Sequence, residues 1–195
     1  SRAAKLLGST AAAAAVLPMF FSNAALAVTV PEDDPTITTE RVSYPGATGA
    51  VKAYLAQPRN GAPQRGSVII VHGNRGLNAH VEDIARRFAK EGYNALGVDF
   101  LSPLGGTPAP DLESELRASD LDPEETVADA VAAANWLRSR ADSNGKVGIT
   151  GYCWGGGVVN RTAVADPLLS AAVPYYGATP EAADVPKIQA PLLLN

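Results

Sequence analysis

The chain holds one cysteine, and its neighbours are unusual for a buried thiol. Cys153 stands in Gly151-Tyr152-Cys153-Trp154-Gly155, after the strand-like run Lys146-Val147-Gly148-Ile149-Thr150 and before a helix-like stretch from about Trp154 to Ala165. Strand, tight turn, nucleophile and helix in that order make a nucleophile elbow of the form G-x-nucleophile-x-G. The turn forces the nucleophile into strained backbone angles, and the flanking glycines let neighbouring backbone pass closely. A helix N-terminus also turns the positive end of its dipole toward an anionic nucleophile. The chemistry this predicts is attack on a carbonyl carbon. A lone cysteine is most often a small buried hydrophobe, but burial alone does not call for glycines on both sides of it. Gly155-Gly156-Gly157 is not a phosphate loop, because no Lys-Ser/Thr follows it and a dinucleotide fingerprint needs another spacing near the first strand. A thiol redox role lacks the usual C-x-x-C pair.

Such an elbow needs a sheet to stand on, and the chain supplies one by alternating strand-like and helix-like stretches. Ile37 to Tyr44 and Val51 to Gln57 flank the turn Pro45-Gly46-Ala47-Thr48-Gly49 and predict a hairpin. Ser67 to His72 is a β-branched run suited to the middle of a parallel sheet. Asn78 caps a helix carrying Val81, Ile84, Ala85 and Phe88, which Gly92 ends, and Asn94 to Phe100 is the next strand. Ser102 to Pro110 is a Pro- and Gly-rich loop. Asp122-Pro123-Glu124-Glu125 then opens a helix whose predicted buried face is Val127, Ala130, Val131, Ala134 and Leu137. Asp142 to Gly145 is a turn into the strand before the elbow, and strands are predicted at Ala171–Tyr176 and, buried, at Pro191–Leu194. This alternation implies an open, mostly parallel sheet with helices on both faces, and the loops after His72, Phe100, Thr150 and Tyr176 should share one rim.

The 195 residues are 46% hydrophobic and 18% charged, enough to bury one core, and a formal charge of −4 argues against a nucleic-acid groove. One Cys and two His leave no zinc cluster and no intramolecular disulfide, and no metal or organic cofactor is implied. At the start, Arg2 and Lys5 precede an apolar run from Ala11 to Phe21, and Ala25-Leu26-Ala27 fits a peptidase site. Residues 1–27 therefore read as a signal peptide rather than a membrane anchor, since Pro18, Ser22 and Asn23 cut the run short, and export to the periplasm or medium is expected. Residues 28–36 read as an acidic, solvated linker without a core of its own, and 37–195 as the domain.

With Val71-His72-Gly73-Asn74-Arg75-Gly76-Leu77-Asn78, the Gly92-Tyr93 to Asp99 stretch and the cysteine elbow with Gly155-Gly156, the chain from about Thr38 to Asn195 resembles the dienelactone hydrolase (carboxymethylenebutenolidase) family. The resemblance implies an α/β-hydrolase fold, C-terminally incomplete here, that cleaves a small-molecule lactone or ester through a thioester on Cys153. It places the oxyanion donors at the backbone N–H groups of Trp154 and Asn74. His72 reads as a residue that shapes the oxyanion loop, because in this fold the base comes late in the chain. The triad Asp and His fall beyond Asn195, so the 195-residue piece is expected to be poorly stable and inactive by itself. The pattern departs in two further places. Gly73 stands where the family carries an acid, and the loop near Pro103 lacks the arginine that binds a substrate carboxylate, for which Arg75 is the substitute considered. A non-catalytic relative that binds a small molecule or partner is the alternative.

Overall fold

The computed structural model describes residues 29–109 and 117–195; the expected signal peptide lies outside them. Six strands form one sheet: β1 (Ile37–Gly46), β2 (Gly49–Pro58), β3 (Arg65–Val71), β4 (Asn94–Val98), β5 (Ser143–Tyr152) and β6 (Ala171–Tyr175). Their order across the sheet is β1-β2-β4-β3-β5-β6, with β1, β2 and β4 antiparallel in succession and β4, β3, β5 and β6 parallel. Helix α1 (Ala79–Lys90) packs on one face; α2 (Pro123–Ser139) and α3 (Trp154–Ala165) pack on the other.

The period-two alternation of the strands assigns their side chains to these faces. Ala53, Leu55, Ile69, Val71, Leu96 and Ile149 point to α2 and α3, whereas Tyr54, Ala56, Ile70 and Ala95 point to α1 with Val81, Ile84 and Ala85. Both faces of the central strands are covered, so their apolar runs are continuous. Helix starts follow the predicted caps. Asn78 accepts from the N–H groups of His80 and Val81, and Asp122 from those of Glu124 and Glu125.

Three expectations change. The stretch 28–36 is not wholly solvated: Val30 is buried against α1, because the Asp83 carboxylate accepts from the N–H of Thr29 (3.0 Å) and of Val30 (2.8 Å) while Arg86 donates to the Val30 carbonyl at 2.6 Å. On α2, Val127 and Val131 are only half-buried, and the covered stripe runs through Thr126, Asp129, Ala130, Ala133, Ala134 and Leu137. The reason is polar: Asp129 accepts from both the N–H and the hydroxyl of Thr48, fastening the β1–β2 turn to α2. Pro191–Leu194 makes one parallel bridge, Leu192 to Ala172, and runs along β6 through Ala172 N–H to Pro191 and Leu193 N–H to Ala172. Its leucines are exposed, Leu194 at 68%.

Candidate active site

Cys153 is where strand becomes helix. It holds φ 56° and ψ −118°, caps α3, and keeps its side chain exposed. A left-handed φ is costly for any residue with a Cβ, so the surroundings must over-determine it. They do so by close approach. A Cβ on Gly151 would lie 2.7 Å from the Gly155 carbonyl, one on Gly155 would run into the His72 carbonyl, and one on Gly156 would lie 2.5 Å from the Tyr175 carbonyl. Cys153 N–H donates to Tyr175 at 3.0 Å, which latches the elbow to the end of β6.

The predicted rim is assembled as expected. Register pairs Val71 with Gly151, so the loop after β3 emerges beside the elbow, and a Cβ on Gly73 would lie 3.9 Å from the Tyr152 carbonyl. His72 is fully buried beneath it. The Phe100 N–H donates to His72 Nε2 at 3.1 Å, which makes Nε2 the acceptor and assigns the proton to Nδ1, 2.6 Å from the Gly73 carbonyl. Burial pushes the imidazole below its ordinary pKa, outweighing the Gly73 carbonyl and the more distant Asp99 carboxylate. The ring also stacks on Trp154 (5.5 Å) and meets Phe100 edge-on. Both nitrogens being engaged, His72 braces the loop, as the sequence reading had it. His80 is exposed in the first turn of α1.

Asn74 is fastened at two points, its side-chain oxygen accepting from Ser119 N–H (2.8 Å) and its carbonyl from Ala118 N–H (3.0 Å). The Ser119 segment in turn closes one side of a hollow of about 190 Å³ lined by Leu121, Cys153, Trp154, Gly157 and Arg161. The structure thus brings Cys153 and Trp154 together at this hollow and places the Asn74 loop against its Ser119 wall. Arg75 is exposed on the Asn74 loop and does not line the hollow. Ser119 and Arg161 escaped the sequence reading. Arg161 had a signal, since it follows Cys153 by two turns of one helix face. Among the described residues, no group of three or more His, Cys, Asp or Glu is arranged to hold a metal, and no helix is long and apolar enough to cross a membrane.

The model of the dienelactone hydrolase family matches residues 51–195. The chain belongs to that family. Within it, the chain is 41% identical over 113 residues to a provisionally named hydrolase fragment of Escherichia coli K12, covering 57% of this chain and 97% of that one. It is 30% identical over 155 residues to a protein of Methylorubrum extorquens AM1 provisionally named a carboxymethylenebutenolidase, covering 76% of this chain and 52% of the relative. A crystal structure of a provisionally assigned dienelactone hydrolase from Klebsiella pneumoniae superposes with a TM-score of 0.67 at 28% identity, covering 81% of this chain and 71% of that one. The chain spans about half the length of the carboxymethylenebutenolidase-named relatives it matches. As a dienelactone hydrolase family member it has the α/β-hydrolase fold.

Proposed function

We propose that the protein containing this chain hydrolyses a lactone or carboxylic ester with Cys153 as nucleophile. The observation that carries this reading is the exposed thiol held at φ 56° at the head of α3, facing a hollow. The thiolate sulfur adds to the carbonyl carbon, and the oxyanion is held by the backbone N–H groups of Trp154 and Asn74. Collapse expels the alcohol oxygen, which takes a proton, and leaves a thioester on Cys153. Water then adds to that thioester and releases acid and free thiol. The base and its orienting carboxylate, His and Asp, come from chain beyond Asn195 in this reading.

The test is hydrolysis of a small aryl ester by the natural protein and its Cys153→Ala variant, with mass spectrometry for an acyl adduct on Cys153. Loss of at least about a thousandfold in kcat/KM is expected from removing a nucleophile. Full activity in the variant would overturn the reading. If the natural protein is inert and its Cys153 alkylates no faster than free cysteine, the non-catalytic binding protein takes its place.

A further inference from the structure

We infer that Thr107, in the loop after β4, is a positioning residue for the second oxyanion donor: its hydroxyl, aimed by the buried Asp99 carboxylate, holds the turn that presents the Asn74 N–H. The inference rests on the hydrolase reading above. Thr107 Oγ1 stands 2.7 Å from Asp99 Oδ1 and 2.7 Å from the Leu77 nitrogen. The Leu77 N–H can only donate, so the hydroxyl accepts from it and gives its own proton to Asp99. Asp99 grips the same loop a second time, through the Thr107 N–H at 2.8 Å. The loop after β3 and the loop after β4 thus meet at one oxygen atom.

Two features connect that oxygen to the Asn74 N–H. Gly76 crosses Thr107 at φ 87°, and a Cβ there would run into Thr107 Oγ1 and lie 2.8 Å from Leu101. Only glycine lets the backbone settle so deeply, so the turn rests directly on the threonine side chain. The Gly76 N–H in turn donates to the Gly73 carbonyl at 3.3 Å, closing a turn with Asn74 and Arg75 at its centre. The Gly73 carbonyl and the Asn74 N–H belong to one planar trans peptide and point opposite ways. With the carbonyl held by Gly76 and by His72 Nδ1 at 2.6 Å, the N–H is directed away from His72, and among the described residues no acceptor takes it. Thr107 therefore fixes the far end of a turn that Ala118 and Ser119 hold at its middle. A staple between two loops would serve stability alone; one that aims an oxyanion donor also sets the rate, since misplacing a reacting group by 1 Å costs about a hundredfold.

The test acylates Cys153 of the natural protein with cinnamoylimidazole and reads the absorption maximum of the cinnamoyl thioester, which moves to longer wavelength when hydrogen bonds polarise its carbonyl. It needs a thiol and two donors but no turnover, so it is readable even where ester hydrolysis fails. The natural protein is expected to show a red shift against the same thioester on free cysteine. Thr107→Val, which keeps the shape and removes the hydroxyl, should lose at least about half of that shift, and Thr107→Ser should regain it. In aryl ester hydrolysis the valine variant should lose about 10- to 100-fold in kcat with KM little changed, while iodoacetamide, whose displacement builds no oxyanion, alkylates Cys153 at the natural rate. Thr107→Ala removes the same hydroxyl and stands in if the valine variant does not fold. An equal red shift in natural protein and Thr107→Val, or a loss that serine does not repair, would overturn the inference and leave the hydrolase reading standing. No red shift in the natural protein would remove the two-donor oxyanion site, and the inference with it.

Discussion

At the scale of the residue, His72 shows how burial and two hydrogen bonds assign one protonation state. Its Nε2 accepts from Phe100 and its Nδ1 donates to Gly73, so the neutral ring satisfies both neighbours and the imidazolium would turn a donor toward the Phe100 N–H. The folded pKa is therefore below the ordinary value of 6.5, and the unfolded chain binds the extra proton first. The stability His72 contributes is fully present above pH 6.5 and is lost as pH falls through the folded value. Denaturant titrations from pH 7.5 to 4.5 should show stability declining below pH 6.5 with a slope of at most about 1.4 kcal/mol per pH unit from this group. His72→Gln, which keeps an acceptor for Phe100, should flatten that decline; an unchanged slope would show that another group carries it.

At the scale of the element, much was legible because local rules and tertiary demands agree. Asn78, Asp122-Pro123 and Gly92 mark helix ends by backbone chemistry that does not depend on the rest of the chain, and the elbow spells out its own strand, turn and helix. What was not legible depended on distant partners. Asp83 and Arg86 fall on the buried side of α1, where a hydropathy pattern expects apolar residues, because they hold Thr29, Val30 and Tyr54 from elsewhere in the chain. Asp129 on α2 has the same character, serving a turn some eighty residues earlier. Arg161 belongs here too: its place on the Cys153 face follows from helix geometry, but the hollow it helps to line with Ser119 and Leu121 does not. Removing one member of such a cluster strands the others. Asp83→Ala leaves the buried Arg86 uncompensated and two N–H groups unpaired, and should cost about 3–5 kcal/mol in equilibrium unfolding, with loss of hydrogen-exchange protection at Val30.

At the scale of the whole molecule, the domain begins earlier than composition indicated. Val30 is part of the hydrophobic cluster beneath α1, so the core already includes a residue just past the predicted cleavage point. We propose export with removal of residues 1–27; N-terminal sequencing of the protein from the periplasm or medium should then begin at Val28. A start upstream of that point would mean the apolar run stays with the mature protein. The elbow has a different kind of reach. Because residue 153 sits at φ 56° with a Cβ attached, the rest of the fold holds a conformation that glycine would adopt more readily. Heat resistance and thiol chemistry therefore pull this one codon in opposite directions. A library screened for thermal survival alone would drift toward glycine at 153, and under the nucleophile role proposed above only a screen that also demands turnover would hold the cysteine in place.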